Sequence, residues 1–317
     1  MIAHARLGRS ELSVSRIALG SWRTFERMPR ERGVAVMRAA REAGIDFLDD
    51  ARYNDETGTA PIPTGYSEVV FGELFRASGW NRDEVVIANK LWWEFWPEQD
   101  AAGELDASLQ RMGLDHLDLA YAEKPPGGLT VDEVVRQAGA LIASGKLRAW
   151  GLLNWPAALH GEAAASAERQ GVPMPAAVQL PYSLVRRSPV EDPETTEALD
   201  ASGAGIVASA TLAAGALTGK YTRDNANGRI EKERHDPRHT TALAAGQELL
   251  SLGAQFEAPP AALAIAFALT HPNVASVLVG ATTPHQIAEN VKAIEVADRI
   301  DRQRLEAVGV TSGPATS

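Results

Sequence analysis

The stretch Leu117-Asp-Leu-Ala-Tyr-Ala-Glu123-Lys-Pro-Pro126 is a short apolar run that stops on a carboxylate. Its flanks carry another rhythm. Residues 101–112 and 132–144 repeat apolar side chains with the 3.6-residue period of an amphipathic helix. Gly113 sits where the first of these should stop, and Thr130 before Val-Asp-Glu133 resembles a capping box opening the second. A strand between two helices is one β/α unit, and the unit recurs.

Apolar, β-rich segments fall at 16–21, 46–49, 84–89, 117–122, 147–152, 176–180, 205–209 and 274–279, which predicts eight strands. Helical periods also occupy 31–43, 67–77 and 284–294, Pro156 suits a first helical turn, and Gly44, Gly145 and Gly171 mark further helix stops. Strand–helix alternation demands parallel pairing through right-handed crossovers. Without a composition break, the reading is one α/β domain over 1–317, a (β/α)8 TIM barrel. An open dinucleotide-binding sheet would place a Gly-rich turn after its first strand. The GxGxxA spacing at Gly203-Ala-Gly205-Ile-Val-Ala208 precedes a strand instead, and reads as a helix stop and turn. Arg6-Leu-Gly-Arg-Ser-Glu-Leu-Ser-Val14 predicts an N-terminal β-hairpin turning at Gly8–Ser10 and closing the bottom of the barrel. The polar segment 220–239 is a functional flap or a solvated loop, and 310–317 reads as a loose tail.

With 31 basic and 41 acidic side chains, a net charge of −10 and no basic stripe, nucleic acid is not an expected partner. The absence of cysteine excludes disulfides, thiolate metal sites and cysteine nucleophiles. No secretory h-region opens the chain, and the longest apolar run, 261–269, is too short to cross a bilayer. A cytoplasmic protein without a membrane partner is expected, its oligomeric state open.

Barrels of this kind hold their sites at the C-terminal ends of the strands. Asp49 and Asp50 stop the second strand, Lys90 the third and Glu123 the fourth; Asn154 follows the fifth and Gln179 lies late in the sixth. A buried lysine there needs a carboxylate to stay charged, and such a pair could also be a purely structural tie. What distinguishes a catalytic pair is a proton donor beside it. A phenol ordinarily ionises near pH ~10, and an adjacent ammonium lowers that value. Tyr53 follows Asp49 by four residues, and Tyr66, farther along the same loop, is the other candidate acid or a substrate neighbour. Trp22, Trp92, Trp93 and Trp96 gather at the ends of the first and third strands, either as a wall for an apolar, cyclic substrate or as packing under a long loop. His235 and His239 have i,i+4 spacing without a ligand set, so no metal is expected. No nucleophile elbow or phosphate-binding Gly-Lys-Ser motif appears.

At this point the chain resembles the aldo-keto reductases. The resemblance is carried by Leu7-Gly-Arg-Ser-Glu-Leu-Ser-Val-Ser-Arg-Ile-Ala-Leu-Gly-Ser-Trp22, Gly44-Ile-Asp-Phe-Leu-Asp-Asp-Ala51, Gly65-Tyr-Ser-Glu68 and Val85-Val-Ile-Ala-Asn-Lys90. It continues in Gly215-Ala-Leu-Thr-Gly-Lys-Tyr221 and Val279-Gly-Ala-Thr-Thr-Pro-His-Gln-Ile-Ala-Glu-Asn290. It implies hydride transfer from NADPH to a carbonyl, with a catalytic tetrad at Asp49, Tyr53, Lys90 and Glu123, where the family usually has His at the fourth place. Glu there is similar to the steroid 5β-reductases, which reduce the carbon–carbon bond of an enone. Gly79-Trp-Asn-Arg-Asp-Glu-Val-Val-Ile-Ala-Asn-Lys90 resembles the potassium-channel β subunits. Carbonyl reduction, enone reduction and cofactor sensing with little turnover all stay open. To bind a carbonyl oxygen, Glu123 would need to be protonated in apolar surroundings, which Leu119 and Tyr121 on the same strand face would provide.

The resemblance also implies cofactor contacts at Gly20, Ser21, Trp22, Asn154, Gln179, Ser209, Leu212, Gly215, Lys220, Gly280, Thr282, Gln286, Glu289 and Asn290. Arg229 could join Lys220 on the 2′-phosphate. Departures are visible: Leu153 replaces the Ser of the family's Ser-Asn pair, Ser209 stands where an aromatic ring usually stacks on the nicotinamide, and Ala51 is followed by one residue, not two, before Tyr53.

Overall fold

The alternation resolves into a closed barrel of eight parallel strands in the computed structural model, which describes residues 2–222 and 228–309. A hairpin of β1 (His4–Arg6) and β2 (Ser13–Ser15) comes first. The barrel is β3 (Ile17–Gly20), β4 (Phe47–Asp49), β5 (Val86–Leu91), β6 (Leu117–Ala122), β7 (Leu147–Leu153), β8 (Ala177–Pro181), β9 (Gly205–Ser209) and β10 (Val274–Val279), with β10 pairing back to β3. Around it run α1 (Arg30–Glu42), α2 (Tyr66–Ser78), α3 (Ala101–Met112), α4 (Val131–Ala143), α5 (Ala157–Gln170), α6 (Ser188–Glu191), α7 (Pro193–Ser202), α8 (Thr240–Phe256), α9 (Pro260–Leu269), α10 (Pro284–Arg299) and α11 (Arg302–Glu306).

Local chemistry sets several boundaries. The Thr130 hydroxyl accepts from the Glu133 N–H at 3.2 Å and opens α4. Gly113, Gly171 and Gly203 end α3, α5 and α7 in the left-handed conformation that glycine adopts without a Cβ penalty. The Gly203–Ala208 segment is thus a helix stop leading into β9. Pro156 stands one place before α5, as its cap, not inside the first turn. β5 extends two residues past the expected 84–89, because Lys90 pairs with Tyr121 and Leu91 with Ala122 on β6.

Strand alternation divides the side chains between a sheath facing the helices and a barrel interior. Phe47, Ala88, Leu119, Tyr121, Ala149, Ala177 and Val207 pack together inside. One step on toward the C-terminal mouth, the same parity places Asp49, Lys90, Glu123, Gln179 and Ser209 inward.

At the opposite end Leu7, Leu12 and Val14 of the hairpin pack against Ala18, Phe47 and Ala275 and close the barrel floor. Asp46 ties the hairpin down by accepting from the Ser15 N–H at 2.8 Å and meeting His4 Nε2 at 2.7 Å. The apolar run 261–269 forms most of α9 and is buried from Ala261 to Leu269, so it is a core helix. No single helix among the described residues is long and apolar enough to cross a membrane. Segment 220–239 contains three short 3-10 turns, Lys220–Thr222, Glu231–Glu233 and Pro237–His239, with 223–227 outside the described residues. The 310–317 tail also lies outside them.

Gly8, in the hairpin turn, has φ +53°, and a Cβ added there would lie 2.6 Å from the Ala176 carbonyl oxygen and closer still to that of Gly203. Gly8→Ala is therefore expected to cost about 1–3 kcal/mol through a clash that neither backbone can relieve. Urea denaturation measures it; an unchanged midpoint would show that the hairpin does not plug the floor.

Candidate active site

Asp49 ends β4 and Lys90 lies next to it on β5, both side chains only 3% exposed. The Lys90 ammonium donates to Asp49 Oδ1 and, at 3.0 Å, to the backbone carbonyl of Asp50. The other Asp49 oxygen accepts from Gln179 Nε2 at 3.1 Å. Two buried charges are costly to desolvate, and this many hydrogen bonds is what offsets the cost. Beneath the pair lies Tyr121, with Lys90 Nζ 5.4 Å from its ring centroid. Gly151 on β7 leaves room for that ring, since a Cβ there would meet Tyr121 Cδ1 at 3.1 Å.

The two candidate tyrosines part company. Tyr53 follows β4, with its ring centroid 6.4 Å from that of Trp22 and 6.3 Å from that of Trp92. Burial, followed by the charges of Asp49, Asp50 and Glu26, pushes its phenol well above the ordinary value. No hydrogen bond joins it to Lys90 among the described residues. Tyr66, at the start of α2, accepts from Arg30 Nη2 at 3.0 Å, and that guanidinium also meets Glu73 at 2.7 Å. Its hydroxyl is thus engaged by α1.

Glu123 leaves β6 half-buried, its carboxylate without a hydrogen bond or ion pair among the described residues. Its backbone is held at both ends: the N–H donates to the Leu91 carbonyl, and its own carbonyl accepts from Trp93 Nε1, each at 2.9 Å. Of the four tryptophans, Trp22 and Trp92 flank Tyr53, whereas Trp93 is 3% exposed and Trp96 packs against the outer core. Trp93 is turned away from the mouth by a left-handed backbone at φ +59°. Glu104 of α3 secures that turn, accepting from the N–H groups of Trp92 at 2.8 Å and Trp93 at 3.1 Å. Sequence reasoning missed Glu104, because nothing within its helix marks a residue whose partners lie on another element.

Most of the residues proposed for a cofactor occupy the ends of three adjacent strands, β9, β10 and β3, while Gln179 lies on β8. After β3, Gly20, Ser21 and Trp22 follow in line; the Ser21 hydroxyl donates to the Asp50 carboxyl, and the Trp22 ring lies between the guanidiniums of Arg23 (5.0 Å) and Arg229 (4.8 Å). After β9, Ser209 leads into a turn where Leu212 precedes Ala213, Ala214 and Gly215, all three at positive φ. Lys220 closes that stretch, its ammonium 4.9 Å from the Tyr221 ring, with its pKa lowered by burial and by Arg229. After β10, past Gly280, the N–H and hydroxyl of Thr282 donate to Gln286 Oε1 at 2.7 and 3.1 Å, Glu289 faces His285 at 3.6 Å and Asn290 is buried. Asn154 stands apart after β7, exposed at φ +56°. His235 and His239 belong to no metal-holding cluster among the described residues.

The loop 54–64 follows Tyr53 and returns to it, the Gly65 N–H donating to the Tyr53 carbonyl at 2.9 Å. An Asn54–Thr64 bridge closes its ends, and Glu56 meets Arg23 and Arg27 at 2.6 Å each.

Removing one partner of a buried pair strands the other. Lys90→Met is expected to cost about 3–5 kcal/mol in stability, and adding Asp49→Leu to recover part of it. A urea double-mutant cycle checks this, and strictly additive costs would contradict the coupling.

Residues 16–308 match the aldo/keto reductase family. Three curated proteins are similar along most of their length. One from Oryza sativa subsp. japonica, named as a voltage-gated potassium channel subunit beta, is 32% identical over 323 residues, covering 96% of each chain. One of the same name from Arabidopsis thaliana is 29% identical over 92% of this chain and 91% of its own. A third so named, from Schizosaccharomyces pombe, is 30% identical over 95% of this chain and 91% of its own.

Proposed function

The chain belongs to the aldo/keto reductase family, and on that premise we propose that it uses NADPH to reduce the carbonyl group of an apolar, ring-bearing substrate. The observation that carries the reading is the buried Lys90–Asp49 pair at the barrel mouth, with Tyr53 between two tryptophans beside it. Bound NADPH would supply the hydride that adds to the carbonyl carbon.

The residues present fit such a dinucleotide. Lys220 and Arg229 are neighbouring cations without an acidic partner among the described residues, an arrangement that phosphates would stabilise. The start of α10, where Thr283 already caps the Gln286 N–H, is a helix N-terminus, which favours anions. Asn154 and Gln179 would hold the carboxamide end. Ser209 offers no ring to stack there; Trp22, 46% exposed, is an aromatic surface at the same end of the barrel.

In this reading Tyr53 gives its phenolic proton to the carbonyl oxygen as the hydride reaches carbon, and the product is an alcohol. Asp49 orients Lys90, and the ammonium stabilises the phenolate left behind. Glu123, in its protonated form, would donate to the substrate oxygen. Trp22 and Trp92 form the apolar wall.

A second reading is a nicotinamide-binding channel subunit with little turnover. The names of the relatives favour it, and so does Tyr53, whose proton is held tightly by burial and then by nearby carboxylates and which makes no hydrogen bond to Lys90 among the described residues.

The test mixes pure protein and NADPH with a panel of aldehydes, ketones and cyclic enones, follows nicotinamide absorbance and identifies the product. Alcohols support the reductase reading, a saturated ketone points to enone reduction, and binding without oxidation supports the channel-subunit reading. Tyr53→Phe should lower kcat by about 10²–10⁴ with NADPH affinity retained, and Tyr66→Phe by less than about tenfold. The reverse ranking would assign the acid to Tyr66.

A further inference from the structure

Beside the tetrad lies an acid that the mechanism above does not use. Asp50 is fully buried, and its Oδ2 has no hydrogen-bond partner among the described residues. Its Oδ1 accepts from the Ser21 hydroxyl, its N–H donates to the Ala88 carbonyl at 3.0 Å, and its backbone carbonyl takes a hydrogen bond from Lys90. It therefore touches both the lysine of the proposed tetrad and a residue of the proposed cofactor edge.

Charge counting decides its state. Facing Asp50 are Glu68 on α2, Ser21 after β3, Lys90 on β5 and Tyr53 on the following loop, with Asp49 its neighbour in the chain. Glu68 is already matched by Arg111 and Asn89. Lys90 is matched by Asp49. No cation pairs with the Asp50 carboxyl among the described residues, since Lys90 reaches only its backbone carbonyl, so an ionised Asp50 would be a buried charge with one oxygen unpartnered, which is the costly arrangement.

We infer that Asp50 is a positioning residue that stays protonated at neutral pH, its carboxyl holding Ser21 in place while Asp49 is left as the one charged partner of the lysine. Burial, reinforced by the Glu68 charge, holds its carboxyl well above the ordinary range, and Lys90 opposes this. Tyr53 gains from the neutral state: ionising Asp50 adds a negative charge beside the phenol and makes it a weaker acid.

The sign for stability follows. A carboxyl that binds its proton more tightly when folded stabilises the protein below the unfolded value, and that contribution is lost as pH rises through the folded value. Asp50→Asn keeps an oxygen for Ser21 and cannot ionise. Its Tm relative to wild type should therefore climb with pH above the ordinary carboxylate range, by roughly 2–4 °C per pH unit.

The inference rests on the reductase reading only in its kinetic arm. Infrared spectra at pH 7 of the full-length protein, in light and heavy water, should show a buried protonated-carboxyl band in wild type that D50N lacks. In NADPH oxidation assays, wild-type kcat should fall as Asp50 ionises at high pH, with KM steady, and D50N should lose that limb. Absence of the band, parallel Tm–pH curves, or superimposable pH–kcat profiles would overturn the inference. If neither protein oxidises NADPH, the reductase reading fails, while the infrared and thermal arms still decide the state of Asp50.

Discussion

A lysine ammonium buried to within 3% of full enclosure is the constraint around which the upper half of this barrel is arranged. Such a charge is tolerable only if it is matched once and hydrogen-bonded fully. Asp49 supplies the match, Gln179 restrains the opposite carboxylate oxygen, and the Asp50 carbonyl takes a further donor. These residues come from β4, β5, β8 and the turn after β4, so the pair exists only if the barrel closes in register. Stability and chemistry meet there.

A shell of longer-range contacts holds the chemistry in place. Tyr53 lies on a loop, yet Trp22 and Trp92 confine its ring on two sides. Trp92 is in turn fixed through its backbone by Glu104, which also lies 3.8 Å from the buried Arg52 guanidinium. Arg52 reaches Thr64 and Glu94, and Glu56 grips Arg23 and Arg27, so the loop after Tyr53 is stapled at both margins. Exposed ion pairs of this kind contribute little stability each. Their effect is geometric, since they fix the margins of the loop that follows Tyr53.

Much of the architecture was legible in the chain. A strand with a period of two residues between helices with a period of 3.6 leaves a local mark, as do Gly113, Gly171 and Gly203, where a left-handed turn must end a helix. All eight barrel strands lie where alternation placed them, to within about two residues. The hairpin too was visible, because Gly8 and the apolar Leu7, Leu12 and Val14 mark a turn with one buried face. The inward parity of Asp49, Lys90 and Glu123 followed from the same alternation.

The sequence by itself therefore determined the repeated β/α unit and the strand ends at which charged side chains cluster, because both are encoded in residues a few positions apart. Only the tertiary structure decided which tyrosine stands beside Asp49 and which is claimed by Arg30, that Trp93 faces the core, and that Asp50 is enclosed with a bare oxygen. Those outcomes depend on the stagger of neighbouring strands and on partners such as Glu104 and Arg30 that approach through space. Spacing along the chain carries no record of such distances until the barrel has closed.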